Sequence, residues 1–144
     1  MEVEFKIVQS VSLEVSLDIV VNLIISRYND GHRVGVLASE SIAKKLDDLL
    51  WKDGEETFIP HFCATSISEY SSFKNIPILL TDNMFIMSGF KEIINVCDVP
   101  IDSSKIPAKN VIELVFQNDN ALNISRKKYI YYKKAGNQIS TNKS

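Results

Sequence analysis

The chain contains few of the residues with which enzymes hold phosphates or metals. Of its 144 residues, five are glycine, two are histidine and two are cysteine. Neither GxGxxG nor GxxxxGK[ST] occurs, and the first predicted strand-to-helix connection, QSVSLE, has no glycine with which to cradle a phosphate. HExxH, Gly-x-Ser-x-Gly and clusters of metal ligands are also absent from the sequence. We therefore predict a protein without catalytic residues, metal or cofactor, and regard a nucleotide-dependent enzyme as the weakest hypothesis.

A strong net charge and a long apolar run are missing as well. Sixteen Lys and Arg residues face 18 Asp and Glu residues, so a nucleic-acid role would need a local patch or a partner. The longest apolar stretch, LDIVVNLIIS, is interrupted by Asp18 and Asn22 and is shorter than the roughly 20 residues of a membrane span. The acidic start, MEVEFKIV, is unlike a signal peptide. We expect a cytoplasmic protein that does not contact membranes, with Cys63 and Cys97 as reduced, buried thiols.

The order of hydrophobic patterns predicts an α/β fold. Alternation over 3–7 indicates a strand, helical spacing over 13–28 indicates a helix ended by Asp30-Gly31, and RVGVLA indicates a strand covered on both faces. Ser39 can cap a second helix, and a last helix is expected from about Asp119 to Ala135. Further strands are predicted at 76–81, 93–97 and 111–116, whereas 84–88 is ambiguous. This order predicts one Rossmann-like three-layer domain over residues 1–136, with a mostly parallel central sheet flanked by helices, followed by a loosely ordered polar tail at 137–144.

The single tryptophan, Trp51, follows the apolar stripe of the second helix. If that helix continues past Leu50, Trp51 lies roughly 140° from the centre of the stripe, on the side of Asp47. It would then form an exposed aromatic patch with residues 58–60, which is typical of protein–protein interfaces. The other reading is that the helix ends at Leu50 and Trp51 turns back into the core.

The last helix carries a second unusual surface. We assign Ala121, Ile124, Tyr131 and Ala135 to its core face by their spacing. A second face combines an apolar residue, an aromatic ring and two cations: Leu122, Arg126, Tyr129 and Lys133. Such a face suits an acidic peptide with an aromatic residue or a free carboxylate, because Arg can grip a carboxylate with two hydrogen bonds. A solvated basic helix and direct binding of single-stranded nucleic acid are the alternatives.

Four segments together resemble the chi subunit family of bacterial DNA polymerase III. They are GHRVGVLA, LDDLLW followed by TFIPH, IPILLTD, and the series Arg126-x-x-Tyr129-x-x-Tyr132-Lys133-x-x-Gly136. Order, spacing and length agree over nearly the whole chain, and the segment from the tryptophan to PH is the most specific. Residues 83–92 fit the family pattern poorly and resemble an insertion.

The resemblance implies a non-catalytic accessory subunit of the clamp loader with a Rossmann-like fold. Members of the family pair with the psi subunit and bind the acidic, Phe-ending tail of the single-stranded-DNA-binding protein, so DNA would be contacted indirectly. By position in the motifs, Trp51 and Phe58, with Ile59 and Pro60 beside them, would face psi or a competing helicase. Arg126 would hold the terminal carboxylate of the tail, in a pocket lined by Leu122, Tyr129 and Lys133.

Overall fold

The computed structural model describes residues 1–9, 12–53, 60–64, 76–87, 89–106 and 108–143. Its strands are β1 (Glu2–Ile7), β2 (Val34–Leu37), β3 (Phe62–Ala64), β4 (Ile78–Thr81), β5 (Glu92–Asn95), β6 (Asn110–Val115) and β7 (Gln138–Lys143). Its helices are α1 (Leu13–Asn29), α2 (Glu40–Asp53) and α3 (Asp119–Lys134), and a 3₁₀ turn spans Met84–Met87.

The described strands form one sheet in the order β3-β4-β2-β5-β6-β1-β7, and every pairing among them is parallel. One face of the sheet packs against the buried stripes of α1 and α2. The other face packs against α3, and its side chains meet Tyr132 and Leu122. The predicted three-layer α/β fold with helices on both faces is therefore confirmed. Because the described strands are all parallel, they begin along one side of the sheet and end along the opposite side. We call these two sides the amino edge and the carboxyl edge, as distinct from the edge strands β3 and β7.

Glycine ends α1 and α3 by the same backbone motif. Gly31 and Gly136 have φ values of +84° and +82°, a conformation that costs glycine little. The N–H of Gly31 donates to the carbonyl of Tyr28 at 3.0 Å, and the next N–H donates to Arg27 at 3.1 Å. These two bonds satisfy carbonyls that the helix leaves without partners. The predicted helix stops at both glycines are thus confirmed.

One expectation about the strands is wrong, one strand was not predicted and one ambiguity is resolved. Residues 138–143 do not form a loosely ordered tail: they are β7, paired in parallel with β1. Their polar pattern hid this strand because much of an edge strand faces solvent. The short strand β3 was not predicted, since three residues give no periodicity. The ambiguous segment at 84–88 contains the 3₁₀ turn Met84–Met87, which packs against the α3 side of the sheet.

Gly35 in β2 is required by a close approach of side chains. A Cβ atom at this position would lie 2.6 Å from Met87 Cε and 3.3 Å from Phe90 Cγ. Both neighbours are buried, so they cannot move aside into solvent. The glycine of GHRVGVLA therefore lets the segment after β4 fold down onto the sheet.

We predict that Gly35→Ala lowers the free energy of unfolding by about 1–3 kcal/mol, the usual cost of overpacking a well-filled core. Urea denaturation of the wild type and the variant measures the difference. Repeating the substitution in a Met87→Ala background is the control, because removal of the Met87 side chain takes away the nearest obstacle. An equal cost in both backgrounds would contradict the steric explanation.

Candidate functional site

A buried polar network holds α3 on the sheet. Glu113 of β6 is 1% exposed, and its carboxylate accepts a hydrogen bond from Lys128 Nζ at 2.9 Å and from Asn95 Nδ2 at 2.9 Å. The Tyr132 hydroxyl donates to the same carboxylate and accepts from the N–H of Ile101 at 2.8 Å. The network therefore joins α3 to β5, β6 and the loop after β5.

Burial shapes the ionisation of this network. It raises the pKa of the Glu113 carboxyl, although the Lys128 ammonium and three hydrogen bonds act in the opposite direction. Burial, together with the nearby Glu113 charge, also raises the pKa of the Tyr132 hydroxyl, which stays protonated and can donate. The pKa of the neighbouring Cys97 thiol rises to about 11 through burial, so this thiol is neutral at physiological pH.

The core face of α3 differs from the sequence-based assignment. The buried residues of this helix are Lys128 and Tyr132, whereas Tyr131 and Ala135 are exposed. The assignment to Ala121, Ile124, Tyr131 and Ala135 is therefore wrong in its last two members. A charged residue occupies the centre of the true face, because Glu113 supplies a buried partner for Lys128.

The second predicted face of α3 is an accessible surface beside β1. Tyr129 is 41% exposed, and its ring centroid lies 5.8 Å from that of Phe5. Leu122 is half-buried against the same hydrophobic cluster. Arg126 and Lys133 are exposed, and Arg126 Nη1 donates to Asn123 Oδ1 at 3.0 Å. The fold thus brings the four residues together as an apolar base flanked by cations, which we call the α3 face.

The exposed cations of α3 are not confined to the α3 face. Lys127 and Lys134 are exposed on the same helix, in addition to Arg126 and Lys133. None of these four cations forms an ion pair within the part of the chain that the structure describes. A chain with a net charge of −2 therefore presents a locally basic helix that can attract an anionic partner.

The aromatic patch lies on the other side of the sheet, at the end of α2. This helix continues to Asp53, and Trp51 is 53% exposed, so the reading in which Trp51 turns into the core is wrong. Pro60 is half-buried and Phe62 is exposed close by in the chain. Phe58 and Ile59 lie outside the described residues. We use the term Trp51 patch for Trp51, Pro60 and Phe62.

His61, which was not predicted as part of the patch, packs against the Trp51 ring. The His61 side chain is 1% exposed, and its ring centroid lies 4.8 Å from that of Trp51 at an interplanar angle of 59°. His61 Nε2 lies 3.0 Å from Asp47 Oδ1, one helical turn before Trp51. These contacts restrict the orientation of the indole ring, although the ring remains largely in solvent.

The described residues contain no group of three or more His, Cys, Asp and Glu side chains placed to hold a metal ion. Neither does any described helix have the length and apolar character that crossing a membrane requires. The α3 face combines an aromatic ring with cations, and the described part of the Trp51 patch exposes Trp51 and Phe62. Aromatic residues and Arg are enriched at protein–protein interfaces.

Comparison with known proteins agrees with this description. No curated protein gives a significant match to the chain. A family model does match, and it covers residues 1–140, from β1 into β7. Because this match extends over nearly the whole sequence, the chain belongs to the family described as DNA polymerase III chi subunit, HolC.

Proposed function

We propose that this protein is a non-catalytic adaptor of the DNA polymerase III clamp loader that carries two protein-binding surfaces. Membership of the chi family gives it an accessory role in replication. The α3 face would bind the acidic C-terminal tail of the single-stranded-DNA-binding protein. The Trp51 patch would bind the psi subunit, or a helicase that competes for the same place.

The observation that carries the proposal is the composition of the α3 face. An acidic tail that ends in Phe needs a cation for its terminal carboxylate and an apolar surface for its ring. Arg126 offers a planar guanidinium that can hold a carboxylate with two hydrogen bonds. Tyr129, backed by Phe5, offers the apolar surface within a few residues of that cation. Lys133 adds a positive charge one turn beyond Tyr129.

The two surfaces would act together by tethering. One fixes the protein to the polymerase assembly, and the other captures flexible tails displayed on coated single-stranded DNA. Since a coated strand presents many tails, modest affinity for a single tail can become a high overall affinity. Association should be faster at low salt because the approach is steered by charge.

We predict that Arg126→Ala weakens binding of an acidic peptide ending in Pro-Phe by about 10- to 100-fold, since hydrogen bonds to charged groups contribute roughly 1.5–3 kcal/mol. Amidation of the peptide terminus should weaken binding to the wild type by a similar factor. Combining the amidated peptide with Arg126→Ala should weaken binding little more than either change alone. Isothermal titration at one fixed salt concentration measures these affinities.

Lys127→Ala is the matched control, because it removes an equal charge from the adjacent position but from the other side of α3. Its affinity for the peptide should remain close to that of the wild type. Undiminished binding by Arg126→Ala would contradict the carboxylate role. A loss of oligonucleotide binding in Arg126→Ala, with peptide binding retained, would instead favour the alternative in which α3 binds single-stranded nucleic acid directly.

A further inference from the structure

Three cations lie in a row at the amino edge of the sheet. Arg33, Lys91 and Lys109 each come immediately before the first residue of a strand, in β2, β5 and β6 respectively. These strands are neighbours in the sheet, and their first residues are paired directly. Adjacent strands lie about 4.8 Å apart, so the three backbone positions form a line of about 10 Å along the edge.

The three cations line one recess of about 490 Å³. The remaining lining includes Gly31, Gly89 and polar residues, and no large apolar side chain is present among the described residues that line it. The recess therefore differs in composition from the α3 face, which has Leu122 and Tyr129 at its base. It offers charge without a surface for an aromatic ring.

The acidic side chain that lines this recess, Glu92, is already bound by other side chains. Glu92 is buried, and its carboxylate is bound by Arg27 and lies 2.8 Å from His32 Nδ1. Lys91 and Lys109 are exposed, and within the described residues neither of them forms an ion pair. The charges of these two lysines are therefore available to a ligand.

Arg33 is held in place by contacts that include two backbone carbonyls and an aromatic ring. Its Nη1 and Nη2 atoms donate to the carbonyls of Gly89 at 3.3 Å and Ile76 at 3.2 Å. Its guanidinium carbon lies 4.5 Å from the centroid of the buried Phe90 ring. These contacts orient the side chain at the rim of the recess and restrict its motion.

Like charges on directly adjacent strands destabilise a sheet, because they repel at short range. A row of such charges is compensated when a regularly charged polyanion lies along it. An acidic peptide with a terminal aromatic residue would find no apolar base here, whereas a phosphate backbone needs none. The row is one charge wide, which matches one strand of nucleic acid.

We propose that the Arg33–Lys91–Lys109 recess binds the phosphodiester backbone of single-stranded nucleic acid and does not read its bases. The formal net charge of −2 does not reveal this site, because Glu92 is the one acidic residue among the described residues that line the recess and it is already bound by Arg27. The proposal does not depend on the binding of a protein tail by α3, since Arg126 and Tyr129 are not part of the recess.

The test is a titration of fluorescein-labelled oligo(dT) with the full-length protein. For three phosphate contacts on a single strand, affinity should fall about 20-fold between about 50 and 200 mM salt. Lys91→Ala/Lys109→Ala should bind at least 10-fold more weakly at the lower salt, and its affinity should fall only about 3-fold over the same range, as expected for one remaining contact.

Lys45→Ala/Lys52→Ala is the matched control, because it removes the same charge from exposed positions on α2; its oligonucleotide affinity should be close to that of the wild type. The outcomes that would overturn the proposal can be told apart. They are absence of oligo(dT) binding by the wild type, an equal loss in the control, and a loss that follows Arg126→Ala in place of the lysine pair. If the lysine pair weakened binding of the acidic peptide and left oligo(dT) binding intact, the recess would belong to a protein partner. Thermal unfolding of each variant confirms that the fold is retained.

Discussion

Replacing Lys128 with alanine should lower the free energy of unfolding by about 3–5 kcal/mol, the usual cost of leaving a buried charge without its partner. The Lys128 and Glu113 side chains are 6% and 1% exposed, so solvent cannot replace the lost ammonium. For a domain whose total stability is typically about 5–15 kcal/mol, this is a large fraction. Urea unfolding at neutral pH measures the effect.

The loss in Lys128→Ala should become smaller as the pH falls. Burial already raises the pKa of Glu113, and Lys128 is the largest of the influences that lower it, so the variant should bind a proton at higher pH than the wild type. At pH values above the ordinary range of carboxyl pKa values, the folded variant then binds more protons than the unfolded variant. The stability of the variant therefore rises as the pH falls towards that range. Unfolding curves at neutral and mildly acidic pH test this sign.

Two further variants separate charge from packing. Lys127→Ala removes an exposed neighbouring cation and should change stability by no more than about 0.5 kcal/mol. Glu113→Gln/Lys128→Met removes both charges while keeping similar volumes, and it should recover much of the loss because no unpaired charge remains. A cost of Lys128→Ala as small as that of Lys127→Ala would contradict the buried network. This network also sets the rotation of α3, and hence the position of Arg126 and Tyr129.

The sequence predicts most of the fold because its elements follow simple periods. The helices Leu13–Asn29 and Glu40–Asp53 match their apolar stripes, and positive-φ glycines end two helices where expected. The parallel sheet follows from the alternation of strands and helices. By contrast, β7 could not be recognised, because an edge strand needs little apolar surface and QISTNK has a single apolar residue.

The candidate sites were predictable only in part, for a physical reason. A local pattern assigns the chemistry of one helix face, so Arg126 and Tyr129 could be grouped from their spacing. It cannot assign contacts between distant segments. The burial of Lys128 in α3 depends on Glu113 in β6, and the support of Trp51 by His61 depends on how the chain returns after α2. The row of Arg33, Lys91 and Lys109 likewise arises from strand order, which places three separate loops side by side.

The other large effect concerns Trp51. We expect Trp51→Ala to weaken binding of the proposed psi partner by about 30-fold or more, since truncation of a central aromatic residue at an interface typically costs at least 2 kcal/mol. The ring is more than half exposed in the isolated chain, and its contact with His61 limits the conformational entropy that binding would remove. Surface-immobilised psi with the variant in solution gives the affinity.

Phe85→Ala is the control for this experiment, because Phe85 is 63% exposed but lies in the 3₁₀ turn that follows the carboxyl end of β4. The helix α2 runs in the opposite direction to the strands it connects, so Trp51 lies near the amino edge, away from that turn. An equal loss in both variants would indicate nonspecific hydrophobic adhesion in place of a defined patch. If Trp51→Ala kept its affinity for psi, the Trp51 patch would not be part of the proposed interface. Binding of the acidic peptide should be the same in Trp51→Ala and the wild type, because α3 lies on the opposite face of the sheet.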